Sequence, residues 1–129
     1  MTTPTQVVLD FLTALEKPGG FPDAIRAFFT DSTRYLNVGM SDTTGIADTV
    51  AFVEQFMATT TASYMTVDML ALAADGNKVL TERIDHLRGA DGQPVMSLPV
   101  MGIFEVEGGK IAGWRDYFDT AGTAGATGG

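Results

Sequence analysis

The sequence predicts an α+β fold, with helices first and a strongly bent antiparallel sheet after them. Two observations carry this. Apolar residues recur at helical spacing through most of the first half of the chain. From Tyr64 onward, four strand-like runs are separated by three turns, each containing glycine, at close spacing, which is the pattern of a meander. The 129 residues suit one domain, residues 1–129, with a small-residue tail, "TAGTAGATGG", expected to be poorly ordered from about residue 120.

The elements follow in order. Pro4 suits a first helical turn with Thr3 as its cap, and Val7, Val8, Phe11, Leu12 and Leu15 keep helical spacing until "KPGG" ends the run. A second helix fits Pro22 to Phe29, with Ile25, Phe28 and Phe29 facing inward. "TRYLNVGM", Thr33 to Met40, reads as a strand that stops at Gly39. A third helix is expected from about Thr44 to Met57, with Val50, Val53, Phe56 and Met57 on its apolar side. The four strands of the meander are "YMTVDMLALAAD", "KVLTERIDHL", "VMSLPVMGIFEVE" and "IAGWRDYFD", joined at "ADGN", "ADGQP" and "EGGK". No repeat or linker divides the chain.

Composition excludes several functions. With a net charge of −8 and only 8 Lys and Arg, the chain lacks the basic patch that nucleic acid or an anionic membrane surface requires. It has no cysteine, which removes disulfides, thiolate nucleophiles and metal–thiolate centres and leans towards the cytosol. One histidine and scattered carboxylates make a metal site improbable. The N-terminal stretch, charged at Asp10 and Glu16, reads as an amphipathic helix rather than a signal peptide. No apolar run approaches a membrane span.

The polar residues of the strands are the informative ones. Side chains alternate along a strand, so Arg83, Asp85 and Leu87 share one face, as do Trp114, Asp116 and Phe118, Tyr35 and Asn37, and Leu98, Val100, Gly102 and Phe104. If the "DGQP" hairpin closes on Gly92 and Gln93, Arg83 lies opposite Gly102 and Asp85 opposite Val100. If "EGGK" forms a three-residue loop, Gly102 lies opposite Asp116 and Val100 opposite Phe118. The glycine then leaves room for Arg83 to reach Asp116 across roughly 9–10 Å, the spacing of strands two apart. Apolar neighbours surround this Asp–Arg–Asp group, so it is expected in the wall of a greasy pocket. Buried charges must be paired, and with two carboxylates on one guanidinium, one can keep a proton near neutral pH. That combination supplies a general acid and a general base together. Leu87, Leu98, Val100 and Phe118 are the candidate substrate contacts, with plain core packing nearly as good an explanation. Alternation turns His86 and Asp119 away from the pocket.

"YLN", "RID" and "WRDYFD", in this order and at these separations, resemble the limonene-1,2-epoxide hydrolase family, over nearly the whole chain up to Asp119. Each motif alone is weak; the set is specific. The resemblance implies a curved mixed sheet with helices closing one end of a cone, the fold shared with nuclear transport factor 2-like and ketosteroid isomerase-like proteins. It implies cofactor-free addition of water to a small apolar epoxide, giving a vicinal diol, usually in a homodimer. By position, Asp85 corresponds to the acid that protonates the epoxide oxygen, Asp116 to the base that deprotonates water, and Arg83 to the bridge between them. Tyr35 and Asn37 correspond to the groups that hold the water with Asp116. Two other readings are an isomerase or cyclase of the same cone fold, which needs an oxyanion donor where the Arg bridge stands, and a non-catalytic small-molecule binding domain.

Overall fold

A computed structural model describes residues 2–121; most of the expected tail, from Gly122 on, lies outside the described residues. Three helices, α1 (Pro4–Ala14), α2 (Gly20–Phe28) and α3 (Ile46–Thr60), accompany six strands. The strands are β1 (Phe29–Asn37), β2 (Ser41–Thr44), β3 (Tyr64–Asp75), β4 (Lys78–Arg88), β5 (Pro94–Glu107) and β6 (Lys110–Tyr117). The α+β expectation holds, and the sheet is mixed. Its order is β2-β1-β6-β5-β4-β3, and every neighbouring pair is antiparallel except β1–β6, which runs parallel. The sheet is open, with β2 and β3 as its edges, and irregular pairing interrupts four of its ladders.

The helices begin where local chemistry starts them. Thr3 accepts a hydrogen bond from the Gln6 amide at 3.1 Å, and Pro4 takes the first turn, as expected for α1. α2 starts earlier than expected, at Gly20, because Gly19 turns the chain with φ +73° and Pro22 still fits inside a first turn. α3 starts at Ile46 rather than Thr44. Thr44 belongs to β2, a four-residue strand absent from the sequence reading because its residues, Ser41, Asp42, Thr43 and Thr44, are all polar. β1 correspondingly ends at Asn37. Val38, Gly39 and Met40 form a tight turn, with Gly39 at φ +81° and the Met40 amide donating to the Asn37 carbonyl at 2.9 Å.

The helices bury Val7, Val8 and Phe11 of α1, Ala24 and Ile25 of α2, and Val50, Val53 and Met57 of α3 in one core cluster with Val79, Phe104, Ile111 and Trp114 of the sheet. That inner face carries the residues singled out above. The opposite face of β4 is wetter, with Lys78, Leu80 and Glu82 exposed.

Two hairpins decide what meets across the sheet. β5–β6 pairs Gly102 with Asp116, as expected, although its tip is a two-glycine turn and an irregularity at Glu105 and Val106 restores the register. β4–β5 differs by two residues: Arg83 pairs with Val100 and Asp85 with Leu98, while Thr81 pairs with Gly102. The connection spans Gly89 to Gln93, closed by the Gly89 amide on the Gln93 carbonyl, rather than turning on Gly92 and Gln93. A slip of two residues keeps every side chain on its expected face. Val100 does not pair with Phe118, because β6 ends at Tyr117 and Phe118 lies just past it.

Candidate active site

One row of residues crosses the inner face from strand to strand: Asn37 on β1, Asp116 on β6, Gly102 on β5 and Thr81 on β4. The neighbouring row holds Tyr35, Trp114, Phe104 and Val79. Arg83 stands two residues along β4 from Thr81, and its guanidinium reaches diagonally over Gly102. Nη1 and Nη2 donate to Asp116 Oδ1 and Oδ2 at 3.2 and 2.8 Å, and Nε and Nη2 donate to Asp85 Oδ1 and Oδ2 at 3.0 and 2.8 Å. A Cβ at position 102 would come within 2.5 Å of Arg83 Nη1 and closer still to Asp116 Oδ1. The absence of a side chain there is what lets the pair meet.

The group is dry. The Arg83 side chain is 0% exposed, that of Asp85 9% and that of Asp116 4%. Burial works against the charge on Arg83, but Asp116 and Asp85 outweigh it and hold the guanidinium above its ordinary pKa. Phe104 and Trp114 flank it, 5.8 and 5.9 Å from its central carbon to the ring centres. For Asp116, burial is the largest influence and pushes the carboxyl up to about 6. The attraction of Arg83 and a hydrogen bond from Trp114 pull the other way, and the charge of Asp85 adds to the rise. Asp116 therefore titrates close to neutrality, where a proton acceptor is most useful. Burial, and then the charge of Asp116, push the Tyr35 phenol well above its usual range, so it stays neutral.

A small recess, partly open to solvent, meets this group. Of its lining, only Tyr35, Asn37, Asp85 and Asp116 are polar; the rest is apolar and includes Leu87, Leu98, Val100 and Phe118. All the candidate residues except Arg83 thus border one recess, and Arg83 sits behind the two carboxylates. The ring of Tyr35 lies on Trp114 at 4.1 Å, which fixes its direction. The Asn37 carboxamide nitrogen donates to Ser41 Oγ at 3.0 Å, and Asn37 also hydrogen-bonds the Tyr35 side chain. His86 faces the other way, its ring nitrogens 2.7 Å from Ser97 Oγ and 2.9 Å from Asp68 Oδ2.

Sequence reasoning missed several contributors. Phe21 and Phe52 of the helices wall the recess, and no spacing rule places helix residues over a particular part of a sheet; Met65 of β3, paired with Leu87, walls it too. Thr81 was overlooked although strand alternation puts it on the face of Arg83, which donates to its hydroxyl at 2.9 Å. Trp114 was seen as a neighbour of Asp116 but not as its donor; its indole N–H meets Asp116 Oδ1 at 2.7 Å. Among the described residues no cluster of three or more potential metal ligands occurs, and no helix is long and apolar enough to cross a membrane.

The chain is similar to proteins of known activity. Residues 2–126 match the limonene-1,2-epoxide hydrolase catalytic domain. The epoxide hydrolase EphG of Mycobacterium tuberculosis is 36% identical over 109 residues, which cover 84% of this chain and 68% of that protein. The structure of an M. tuberculosis LEH-like epoxide hydrolase superposes with a TM-score of 0.71 at 31% identity, covering 96% of this chain and 88% of the other. A protein of ketosteroid isomerase-like fold from Catenulispora acidiphila superposes with a TM-score of 0.73 at 19% identity, covering 98% of this chain and 95% of the other, which reflects the shared fold alone.

Proposed function

Since the chain belongs to the limonene-1,2-epoxide hydrolase family and is an epoxide hydrolase of that type, we propose that Asp85, Arg83 and Asp116 add water to an apolar epoxide in one step. The observation that carries this is the buried bridge: one guanidinium binds two carboxylates that both border one apolar recess. A water in the recess gives one hydrogen to Asp116 and one to the Asn37 carboxamide oxygen, and accepts one from the Tyr35 hydroxyl. Its remaining lone pair attacks an epoxide carbon. As the carbon–oxygen bond breaks, Asp85 protonates the leaving oxygen, and Asp116 takes the proton from water. A single proton shared by the pair suffices: it starts on Asp85 and finishes on Asp116, so the charge of the buried group never changes. Acid assistance serves a poor leaving group and base assistance a poor nucleophile, each worth about 10²–10⁴-fold.

The recess indicates the substrate class. Its polar groups all belong to the reacting centre, so the rest of the substrate meets only apolar side chains: Leu87, Leu98, Val100, Phe118, Met40, Met65 and those of the helices. A small hydrocarbon epoxide, cyclic or terpene-like, fits this lining, and a substrate bearing a carboxylate or phosphate has nothing to pair with. No cofactor enters the scheme. The test is a panel of cycloalkene and terpene epoxides followed for diol, with a single turnover in ¹⁸O-water. The label is expected in the diol and not in the protein; label in Asp116 would establish a covalent route instead.

The reading extends to a homodimer, which the cysteine-free composition suits to the cytoplasm. On the outer face of the sheet, Leu70, Leu80, Met101 and Tyr117 are 57, 41, 53 and 49% exposed, and Met101 pairs directly with Tyr117. An apolar patch of this kind suits a second copy better than water. Sedimentation of the wild type should give a dimer and Met101→Glu a monomer. A monomeric wild type, or a variant that remains a dimer, would remove this face as the contact.

A further inference from the structure

We propose that Thr81 and Trp114 are positioning residues for this hydrolysis: they hold the inner edge of the Arg83–Asp116 pair, at Nη1 and Oδ1, and leave Oδ2 as the atom of Asp116 that takes the proton. The inference rests on the reading of Asp116 as the base, and deepens it by naming the atom and what selects it.

The hydrogen-bond inventory of Arg83 comes first. A guanidinium has five N–H groups. Nε–H goes to Asp85 Oδ1, the two of Nη2 go to Asp85 Oδ2 and Asp116 Oδ2, and the two of Nη1 go to Asp116 Oδ1 and Thr81 Oγ1. Four acceptors are carboxylate oxygens, and the fifth is Thr81. The single hydroxyl hydrogen of Thr81 is committed to the Gly102 carbonyl at 3.0 Å, so its oxygen must present lone pairs to Nη1. Thr81 is 1% exposed. Without the hydroxyl, one donor of a buried cation is orphaned, and the guanidinium can rock to satisfy it elsewhere.

Asp116 is held from the other side. Oδ1 accepts from Trp114 at 2.7 Å as well as from Arg83 at 3.2 Å, which occupies both of its in-plane lone pairs. Oδ2 accepts only from Arg83 Nη2 among the described residues, so one lone pair remains. The indole cannot drift, because its ring is stacked between Tyr35 at 4.1 Å and Phe104 at 4.9 Å. The carboxylate plane is therefore set by Trp114 and by Arg83, and Arg83 in turn by Thr81. Neither Thr81 nor Trp114 lines the recess, so both act through another residue rather than on the substrate. Their loss should lower kcat and leave KM nearly unchanged.

The experiment uses two substitutions and a readout that needs no turnover. Trp114→Phe keeps the stacked ring and removes the N–H. The titration midpoint of Asp116, followed by ¹³C NMR of labelled aspartate carboxyls, should rise by roughly one pH unit, because a hydrogen bond to the ionised form is lost. The acidic limb of kcat/KM should rise with it. Thr81→Val should reduce kcat by about 10–100-fold with little change in KM, and Thr81→Ser should restore most of it. If the wild type forms no diol from any epoxide, the functional reading fails, and the NMR titration still decides whether Trp114 tunes Asp116. If the wild type is active but Trp114→Phe titrates unchanged, or Thr81→Val and Thr81→Ser lose the same activity, the positioning role is overturned.

Discussion

Asp116→Asn should lower the rate of diol formation by about 10²–10⁴-fold, the usual worth of a general base, while the protein stays folded. The amide remains within reach of Trp114 and Arg83, so the shape of the site survives, but the amide nitrogen cannot take the proton. The same substitution should change how stability depends on pH. Asp116 titrates near 6 in the folded protein against 3.8 for an ordinary aspartate. Between those values the folded state binds more protons than the unfolded state, so stability falls as pH rises across that window. An asparagine does not titrate and lacks this slope. The wild type should be the more stable protein at pH 4, since the amide sets an N–H against an N–H of Arg83. Its margin should narrow by on the order of 3 kcal/mol by pH 7. Denaturant unfolding of both proteins at several pH values measures the difference. A margin that widens with pH, or a variant with near-wild-type turnover, contradicts the environment or the role assigned to Asp116.

Gly102→Ala should be the most damaging change of a single methyl group. The new Cβ collides with Asp116 Oδ1 and Arg83 Nη1, the ends of two flexible side chains that elsewhere could move aside. Here Arg83 is pinned by five hydrogen bonds and Asp116 by three, so making room means breaking the bridge. Overpacking costs about 1–3 kcal/mol and separating a buried ion pair about 3–5 kcal/mol. The expected result is a protein destabilised by several kcal/mol and without measurable hydrolysis. Gly113→Ala on β6 is the control, because the nearest atom to its added Cβ is the Glu105 Cβ at 3.9 Å. Equal melting temperatures and activities for the two variants would mean that the glycine is not what admits the bridge.

Much of the site was legible in the chain because a strand has period two. Thr81, Arg83 and Asp85 lie on one face of β4, and Trp114 and Asp116 on one face of β6, whatever the hairpins do. The apolar residues between them identify that face as the inner one. This is why a two-residue error in the β4–β5 register left the central expectation intact: Arg83 still reaches Asp116 over Gly102, only along a diagonal. An error of one residue would have moved Asp85 and Arg83 to the other face of the sheet. The cap of α1 and the strands between the glycine turns were legible for the same local reasons. β2 was not, because a short polar edge strand carries no apolar pattern and exists only as a partner of β1.

The sequence by itself determined which residues share a face, how α1 is capped, and that an acid–Arg–acid group would have apolar neighbours. Those properties depend on neighbours two to four positions away. Tertiary structure alone decided the rest. It set the register across the Gly89 to Gln93 connection, where a five-residue loop and a local irregularity act together. It brought β1 beside β6 in parallel, so that Asn37 meets Asp116 from the far end of the chain. It laid Phe21, Phe52 and Phe56 over the recess. It also drove Asp116 towards neutrality, because the pKa of a carboxyl depends on how much water the packed fold removes and on which charges the fold leaves beside it.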